Sequence, residues 1–338
     1  MRKLSDIITV FRRNYSDILG LDIGSSGTKA VRLKQVHGVP TVVAVDILPV
    51  ISPPESEQEP VVPIQIPKAL KARYVAMAVS KGGGIVKLLT FPAHTGKTNN
   101  EHVNELMGLG SEIYRLGYEV ISENRTEVRV LASALPDGVA QKLCQLFPLG
   151  SPAPCSLELS GLASLTAYYR AFAGESPADC SVLVDVGASA TLVAFLSKKS
   201  LSLVRKFDFG TANILKKLQD SLGVDADVAL GILNDGSFDV SKVVHQAMEG
   251  FLQQLIISWD FVERRESAHI GKLHVCGGGG GMSLWMKEME TATGLIPIKL
   301  DPFEGLAMQP GAMPDQFKGQ ESRFSAALGA ALAMLKAG

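Results

Sequence analysis

The amino-acid sequence predicts an α/β protein built from two related halves, and three observations carry this prediction. Short apolar strand patterns alternate with longer helical patterns along the chain. The length of 338 residues suits two domains better than one. A pattern of strand, aspartate, glycine and second strand also occurs twice, because Ile18–Leu33 reads ILGLDIGSSGTKAVRL and Val182–Leu196 reads VLVDVGASATLVAFL. A duplicated fold in which each half contributes one hairpin explains this repeat.

The elements follow in chain order from periodicity and β-branched content. The predicted strands are Ile18–Ile23, Ala30–Leu33, Thr41–Leu48, Tyr74–Val79, Ile85–Phe91, Glu127–Ala134, Ser181–Val186, Thr191–Leu196, Leu201–Phe207 and Lys272–Cys276. The predicted helices cover residues 100–116, 137–147, 160–173, 211–222, 240–266, 283–293 and 321–336. The acidic, proline-rich stretch Ile51–Pro67 predicts an exposed loop instead of an element.

Composition excludes several classes of protein. Hydrophobic residues make up 46% of the chain, which is ample for folding, and the net charge of −1 does not suit a nucleic-acid-binding protein. Four scattered cysteines without a CxxC pair argue against disulfides and zinc, and they favour the cytoplasm. We find no apolar run long enough to cross a bilayer and no secretory signal. The basic N-terminal stretch is either a frayed leader or a contact with a membrane or partner.

The first hairpin carries the turn Asp22-Ile23-Gly24-Ser25-Ser26-Gly27-Thr28-Lys29. Its glycines allow backbone N–H groups to approach an anion closely, and the hydroxyls and the lysine add donors and positive charge. Asp22 stands at the strand end, where it can hold a hydrated magnesium ion. We therefore predict a phosphate site, the alternative being an ordinary hairpin with a glycine turn.

The second hairpin supplies the matching residues Asp185, Gly187, Ala188, Ser189 and Thr191. Small side chains at its turn suit a close approach to phosphate. The two hairpins are expected to hold the phosphates from both sides of a cleft, with Asp22 and Asp185 converging on one magnesium ion.

A glycine run forms the third motif. The apolar segment ending at Val275-Cys276 leads into Gly277, Gly278, Gly279, Gly280 and Gly281, and Met282-Ser283 opens a predicted helix. A strand, bare backbone and a helix N-terminus suit a flat or anionic ligand. A flexible surface turn is the alternative, and the segment is not a dinucleotide-binding fingerprint.

In this order, the three segments resemble the phosphate-1, phosphate-2 and adenosine motifs of the actin/Hsp70/sugar-kinase superfamily. Within it the chain is most similar to the PilM family of type IV pilus assembly proteins, which is related to FtsA. The matching segments are the Asp22–Lys29 turn, Tyr74–Pro92 (similar to the strand pair opening a small subdomain), Leu157-Glu158-Leu159 with Ala163 and Leu165, Asp301-Pro302-Phe303, and the alanine-rich stretch Phe324–Leu335 with Gly329.

This resemblance implies an α/β, two-lobed actin-like (RNase H-like duplicated) fold with an inserted small subdomain. It also implies ATP and magnesium as ligands, with weak or absent hydrolysis. Asp22, Asp185 and Glu158 are the candidate catalytic residues, and Gly210 and Thr211 join the nucleotide-binding set. The sequence departs from the family by keeping one glycine in Phe209-Gly210-Thr211 and by placing Leu230 and Leu233 where nucleoside-flanking polar residues are usual.

The resemblance further implies a division of the chain and a partner. The expected parts are a leader (1–17), the first part of lobe 1 (18–68), an inserted subdomain (69–150), the rest of lobe 1 with an interdomain helix (151–180), lobe 2 (181–320) and a C-terminal helix returning to lobe 1 (321–338). The expected partner is the cytoplasmic tail of a PilN-like inner-membrane pilus protein, which would hold the chain at the membrane periphery; self-association is also open. A sugar-type kinase and a type II secretion platform relative remain the alternatives.

Overall fold

The computed structural model describes residues 15–51, 62–80, 82–93, 96–148, 150–172, 180–198, 200–235 and 238–336. Backbone contacts divide the chain into two compact units. Unit 1 comprises Met1–Val79, Lys142–Ala173 and Asp301–Gly338, and unit 2 comprises Ser80–Gln141 and Gly174–Leu300. No helix in the described ranges is long and apolar enough to cross a membrane. Most of the predicted leader and of the proline-rich loop lie outside the described residues.

Unit 1 is built on a six-stranded sheet with the order β14-β3-β2-β1-β4-β8. Its strands are β1 (Asp17–Gly24), β2 (Gly27–Val36), β3 (Val39–Leu48), β4 (Tyr74–Val79), β8 (Ala153–Leu159) and β14 (Ala307–Met308). Strands β1, β2 and β3 form an antiparallel meander, whereas β4 runs parallel to both β1 and β8. The carboxyl ends of β1, β4 and β8 therefore lie at one edge of the sheet.

Two helices of unit 1 pack closely on this sheet and on each other. They are α3 (Ser160–Ala171) and α8 (Ser325–Lys336), the latter preceded by a 3₁₀ turn at Glu321–Phe324. A Cβ at Gly329 would lie 1.8 Å from the Ala163 carbonyl oxygen, and one at Gly20 would lie 1.9 Å from that of Ala327. The alanine-rich sequence of α8 is explained by this packing, because small residues let backbones approach.

Unit 2 contains a five-stranded sheet with the order β11-β10-β9-β12-β13. Its strands are β9 (Cys180–Val186), β10 (Thr191–Ser197), β11 (Ser200–Phe207), β12 (Ile270–Cys276) and β13 (Ile298–Lys299). Its helices are α4 (Thr211–Leu222), α5 (Ala226–Asp235), α6 (Ser241–Glu266) and α7 (Ser283–Thr293). Apolar residues of the strands and helices form one core around the buried side chains of Phe195 and Trp285.

A separate three-stranded antiparallel sheet belongs to unit 2 and has the order β5-β7-β6. Its strands are β5 (Ile85–Pro92), β6 (Tyr114–Glu123) and β7 (Glu127–Pro136), and helix α1 (Asn99–Met107) lies between β5 and β6 in sequence. Leu89, Phe91, Val103 and Met107 help to form a small core of its own. Helix α2 (Asp137–Gln145) follows β7.

The ten strands predicted from sequence are confirmed with small shifts at their ends, as are the helices near 137–147, 160–173, 211–222, 240–266, 283–293 and 321–336. The helix predicted over 100–116 is wrong beyond Met107. Gly108 adopts a left-handed conformation (φ 58°) that caps α1, and β6 begins at Tyr114. Strand β8, helix α5 and most of β6 were not predicted.

The resemblance of Tyr74–Pro92 to a strand pair needs a similar correction. Its two strands lie in different sheets, since β4 pairs with β1 and β8 in unit 1 while β5 pairs with β7 in unit 2. The difference follows from burial: the last five residues of β4 are buried, as expected for an inner parallel strand, whereas β5 is only half covered.

Candidate functional site

The first group of predicted site residues lies where β1 turns into β2. Asp22 is positioned near the carboxyl end of β1, and the hydroxyl of Ser160, the first residue of α3, donates a hydrogen bond to its Oδ1 at 2.6 Å. Burial raises the pKa of the Asp22 carboxyl, while Lys29 and this hydrogen bond act in the opposite direction. Sequence reasoning missed Ser160, because its contact with Asp22 joins residues that lie 138 positions apart in the chain.

Lys29 is buried within this turn. Its ammonium Nζ lies 3.2 Å from the Gly27 carbonyl oxygen and 3.4 Å from the Ser26 hydroxyl. The positive charge predicted from sequence therefore lies within the turn, beside Asp22. Gly24 and Gly27 bracket the turn, and Gly27 takes a φ of 132° that favours glycine.

The hydroxyl groups of the first turn are placed differently from one another. Ser26 is exposed and Ser25 half-buried, which leaves both side chains near the surface of the turn. Thr28 is fully buried, and its Oγ1 has no hydrogen-bond partner among the described residues. The direct contribution of Thr28 to a ligand is thus limited to its backbone.

Glu158 lies on the same edge of the sheet as Asp22. Ala78 of β4 pairs with Asp22 on one side and with Glu158 of β8 on the other, which puts the two acidic residues on one face. Their backbones are about 10 Å apart, two strand spacings. The Oε1 atom of Glu158 is buried without a hydrogen-bond partner in the described structure, and burial raises the pKa of this carboxyl to about 7.

The second group of site residues surrounds Asp185 near the end of β9 in unit 2. Asp185 is 8% exposed, and β9 is continued by the turn Gly187-Ala188-Ser189 into β10. The N–H groups of Thr211 and Ala212 donate to the carbonyls of Gly187 and Ala188 at 3.1 and 2.9 Å. The start of α4 is thereby fixed against the hairpin.

Gly210 makes this arrangement possible. A Cβ there would lie 2.5 Å from the carbonyl oxygens of both Gly187 and Ala188, so no larger residue fits without movement. The Gly210 N–H donates to the Asn213 side chain at 2.9 Å. The buried hydroxyl of Thr191 donates to the Phe209 carbonyl at 2.7 Å, which gives Thr191 the role of holding the loop.

The glycine run joins the same group. A Cβ at Gly277, which has a φ of 82°, would lie 2.4 Å from Oδ1 of Asp185. At Gly279 it would lie 2.4 Å from Cγ2 of Thr211, and the Gly279 N–H donates to the Val186 carbonyl at 2.9 Å. The three motif segments of unit 2 thus pack tightly together.

The rest of the run leads into α7. A Cβ at Gly280 would lie 2.8 Å from the Cys276 carbonyl oxygen, whereas Gly278 is exposed. Met282 caps the helix, and its carbonyl accepts from the Met286 N–H at 3.0 Å. The segment is an ordered strand-to-helix connection with bare backbone on its surface.

Each hairpin, taken in its own unit, carries a carboxylate of the kind that magnesium uses. Magnesium is held in proteins by one or two carboxylates together with waters and phosphate oxygens, and Asp22 and Asp185 are carboxylates at matching positions of the two hairpins. Within the described ranges no cluster of three or more potential metal ligands occurs, which excludes a site built wholly from protein side chains there. Gly277 and Gly279 let the glycine run pack directly against Asp185, Val186 and Thr211, where a Cβ would clash.

The other positions that the sequence analysis compared with the PilM family lie outside these turns in the sequence. Leu230 on α5 is 48% exposed, and Leu233 packs partly against the core of unit 2. In unit 1, Phe303 is buried, and its N–H donates to Asp301 at 2.9 Å. The Asp-Pro-Phe segment is therefore a structural turn.

A solved structure shares this fold. The chain matches the structure of a PilM-PilN type IV pilus biogenesis complex with a TM-score of 0.73 and 19% identity, covering 96% of this chain and 99% of that one. Weaker matches are EutJ from Carboxydothermus hydrogenoformans (TM-score 0.47, 14% identity, 95% and 90% covered) and the archaeal actin homolog Ta0583 with ADP (0.43, 13%, 94% and 99%). The predicted actin-like α/β fold is confirmed.

Sequence comparison identifies the family. No curated protein sequence matches the chain significantly. The model of the type IV pilus assembly protein PilM family matches residues 20–335, which is nearly the whole chain. The chain therefore belongs to the PilM family of actin-like type IV pilus assembly proteins.

Proposed function

We propose that this protein binds ATP with magnesium and acts as a nucleotide-dependent scaffold of type IV pilus assembly. The observation that carries the proposal is the cluster around Asp185, where Gly210, Gly277 and Gly279 each exclude a side chain. Gly187, Gly277 and Gly278 leave bare backbone half-buried or exposed in two segments beside this carboxylate, which suits a ligand that approaches the main chain closely, as phosphates do. The hairpin at Asp22, with Ser160 and Lys29, supplies the second set of groups.

Each residue has a role in this proposal. Magnesium, when bound, neutralises phosphate charge and orients the phosphate oxygens. Asp22 and Asp185 hold its water shell, Ser160 fixes the orientation of the Asp22 carboxylate, and Lys29 adds positive charge within the turn. Glu158, two strands from Asp22, is the candidate for positioning water, and hydrolysis is proposed to be weak or absent.

The proposed partner is the cytoplasmic tail of a PilN-like inner-membrane protein. Support comes from the family match and from the solved PilM-PilN complex that shares this fold. We propose that the tail docks on the inserted segment 69–150, adding to a strand edge through main-chain hydrogen bonds. The protein is then cytoplasmic and peripheral to the inner membrane through this partner.

A thermal-shift measurement tests nucleotide binding. We expect ATP with magnesium to raise the melting temperature of the intact protein by several degrees, because ligand at about 100 times its Kd stabilises the folded state by about 2.7 kcal/mol. Asp22→Ala should lose most of this shift. Asp315→Ala is the matched control, since this carboxylate is 92% exposed and lies far from the hairpins in sequence.

An unchanged melting temperature of the wild-type protein with both ATP and ADP would contradict nucleotide binding. ADP formation by the same proteins, with and without a panel of sugars, separates the scaffold from a small-molecule kinase. A kinase needs a substrate that accelerates turnover. The scaffold predicts slow turnover or none, independent of sugar.

A further inference from the structure

A groove in unit 2 lies apart in sequence from the nucleotide motifs. It has a volume of about 470 Å³ and is formed by β5, β11 and α6. Its walls include the apolar side chains of Val86, Leu88, Leu203, Ile257 and Phe261. None of its lining residues is acidic, and two of them, Lys87 and Arg205, are basic. The groove is therefore apolar, with the positive charge of Arg205 in its wall.

The β5 wall is the face of the small sheet that its own core leaves uncovered. Leu89 and Phe91 point to the core that contains α1, and alternation along the strand places Val86 and Leu88 on the opposite face. Neither Val86 nor Leu88 belongs to that core, although both are only half-buried. This face consequently presents apolar surface to the groove.

Helix α6 contributes exposed apolar side chains on the other wall. Ile257 is 53% exposed and Phe261 is 48% exposed, one helical turn apart. Their neighbours Leu255, Trp259 and Val262 are buried in the core of unit 2. Because the helix already has a complete buried face, Ile257 and Phe261 are not needed to hold it in place.

Arg205 supplies a cation that forms no ion pair with the described residues. Its Nη1 donates to the Ser258 hydroxyl at 2.8 Å, and its guanidinium lies 5.4 Å from the centre of the Phe207 ring. Within the described ranges no carboxylate is within salt-bridge distance of Arg205. Lys87 donates to the Met107 carbonyl at 2.7 Å and likewise contacts no described carboxylate.

Two strand edges border the groove. Strand β5 is an edge of the three-stranded sheet, and β11 is an edge of the five-stranded sheet. Arg129 donates hydrogen bonds to the carbonyls of Leu201 and Ser202. Lys206 donates one to the carbonyl of Gly84. Backbone carbonyls at the two ends of the groove are therefore already hydrogen-bonded to side chains. An edge strand offers main-chain hydrogen-bonding groups that a peptide can use and a hydrocarbon chain cannot.

We propose that this groove docks a peptide segment of a partner protein that presents apolar side chains around one carboxylate. The apolar side chains pack on Ile257, Phe261 and Leu88, and the carboxylate pairs with Arg205. An arginine that is partly buried and lacks an acid gains most from such a pair, because the guanidinium fork binds carboxylates with two hydrogen bonds. This site is separate from the proposed nucleotide site and does not depend on it, but because β5 lies within segment 69–150 it rests on, and specifies, the peptide docking proposed for that segment.

Peptide selection tests the proposal on the full chain without nucleotide. Random 12-residue peptides displayed on phage are selected on the wild-type protein and counter-selected on the Ile257→Ser/Phe261→Ser double variant. We expect a consensus with Asp or Glu among Leu, Ile or Phe. In fluorescence anisotropy, Arg205→Gln should weaken a selected peptide by at least roughly tenfold, the size expected for one charge-assisted pair.

Two controls separate this result from general surface effects. Ile296→Ser removes an isoleucine that is 74% exposed elsewhere in unit 2, and Lys216→Gln removes an exposed charge on α4; neither should change the Kd. Melting curves verify that every variant is folded.

Three outcomes overturn the proposal: no peptide that distinguishes the double variant, a consensus without an acid, or a Kd insensitive to Arg205→Gln. Binding of dodecanoate in place of peptides would also overturn it, by assigning the groove to a fatty acid. Peptide binding by a protein that ATP does not stabilise would refute the proposed nucleotide function and leave this site standing.

Discussion

The buried polar groups near the edge of the unit 1 sheet differ in whether they have interaction partners. Asp22 receives a hydrogen bond from Ser160 and lies beside Lys29, whereas Oε1 of Glu158 and Oγ1 of Thr28 are buried without partners in the described structure. An unsatisfied buried group costs stability, and such groups in a folded protein commonly serve a function. Glu158 is the stronger case, because its burial also disfavours the charged form.

We therefore predict that Glu158→Gln stabilises the nucleotide-free protein at pH 8. The folded-state pKa of Glu158, about 7, exceeds the ordinary value of 4.5. At pH values between these two, Glu158 is therefore protonated in the folded state and ionised in the unfolded chain. Stability contributed by this group is present below about pH 4.5 and is lost as pH rises through 7. Glutamine removes that loss, which we expect to be roughly 1–3 kcal/mol.

Urea unfolding of both proteins at pH 5 and pH 8 provides the measurement. The difference between variant and wild type should shrink at pH 5, because both side chains are then largely uncharged. A difference of equal size at both pH values would show that burial of the charge at Glu158 is not its cause.

At the scale of elements, α8 is held by contacts that only small residues allow. Gly329 brings its backbone against Ala163 of α3, and Gly20 of β1 receives the backbone of Ala327. Both contacts lie within unit 1 and place α3 next to the sheet edge that carries Asp22. The orientation of Ser160 at the start of α3 thus depends on how closely α8 packs.

Gly329→Ala should destabilise the protein by roughly 1–3 kcal/mol, the usual cost of overpacking. The added Cβ would meet the Ala163 carbonyl oxygen at 1.8 Å, and the backbone would have to move. Gly250→Ala, in the exposed part of α6, is the control, and it should change the stability in the opposite direction. Nothing lies within 4 Å of a Cβ there, so the better helix propensity of alanine should stabilise by about 0.5–1 kcal/mol. Thermal unfolding compares the two, and equal effects would refute the packing argument.

The elements also show which information the sequence carried. Helices with strong periodicity and clear ends, such as Thr211–Leu222 before Gly223, were predictable. Strand β8 (APCSLEL) was not, because its residues are mostly half-buried and include Pro154, which an edge strand tolerates. In the candidate site, the glycines and aspartates were visible in the sequence. The inward direction of Thr28 and the bond from Ser160 depend on packing and were not.

At the scale of the whole molecule, the chain has a proposed nucleotide site, a proposed peptide groove and little net charge. Family membership connects it to pilus assembly, and the turns of the two hairpins carry the proposed nucleotide function. A net charge of −1 gives no general attraction to an anionic membrane surface, which draws in basic segments. The basic N-terminal stretch is the other candidate for a membrane contact, and its first 14 residues lie outside the described structure.

We predict that the protein sediments with membranes in cells that contain the PilN-like partner and moves to the supernatant when the cytoplasmic tail of that partner is removed. The physical reason is that the tail tethers the protein through main-chain and side-chain contacts, while the net charge contributes no attraction. Quantitative immunoblotting of the two fractions measures the change. Arg12→Gln/Arg13→Gln is the control, and it should leave the distribution unchanged in cells with the intact partner. Sedimentation that persists without the tail, but is lost in this double variant, would assign anchoring to the N-terminal stretch and refute tethering by the partner.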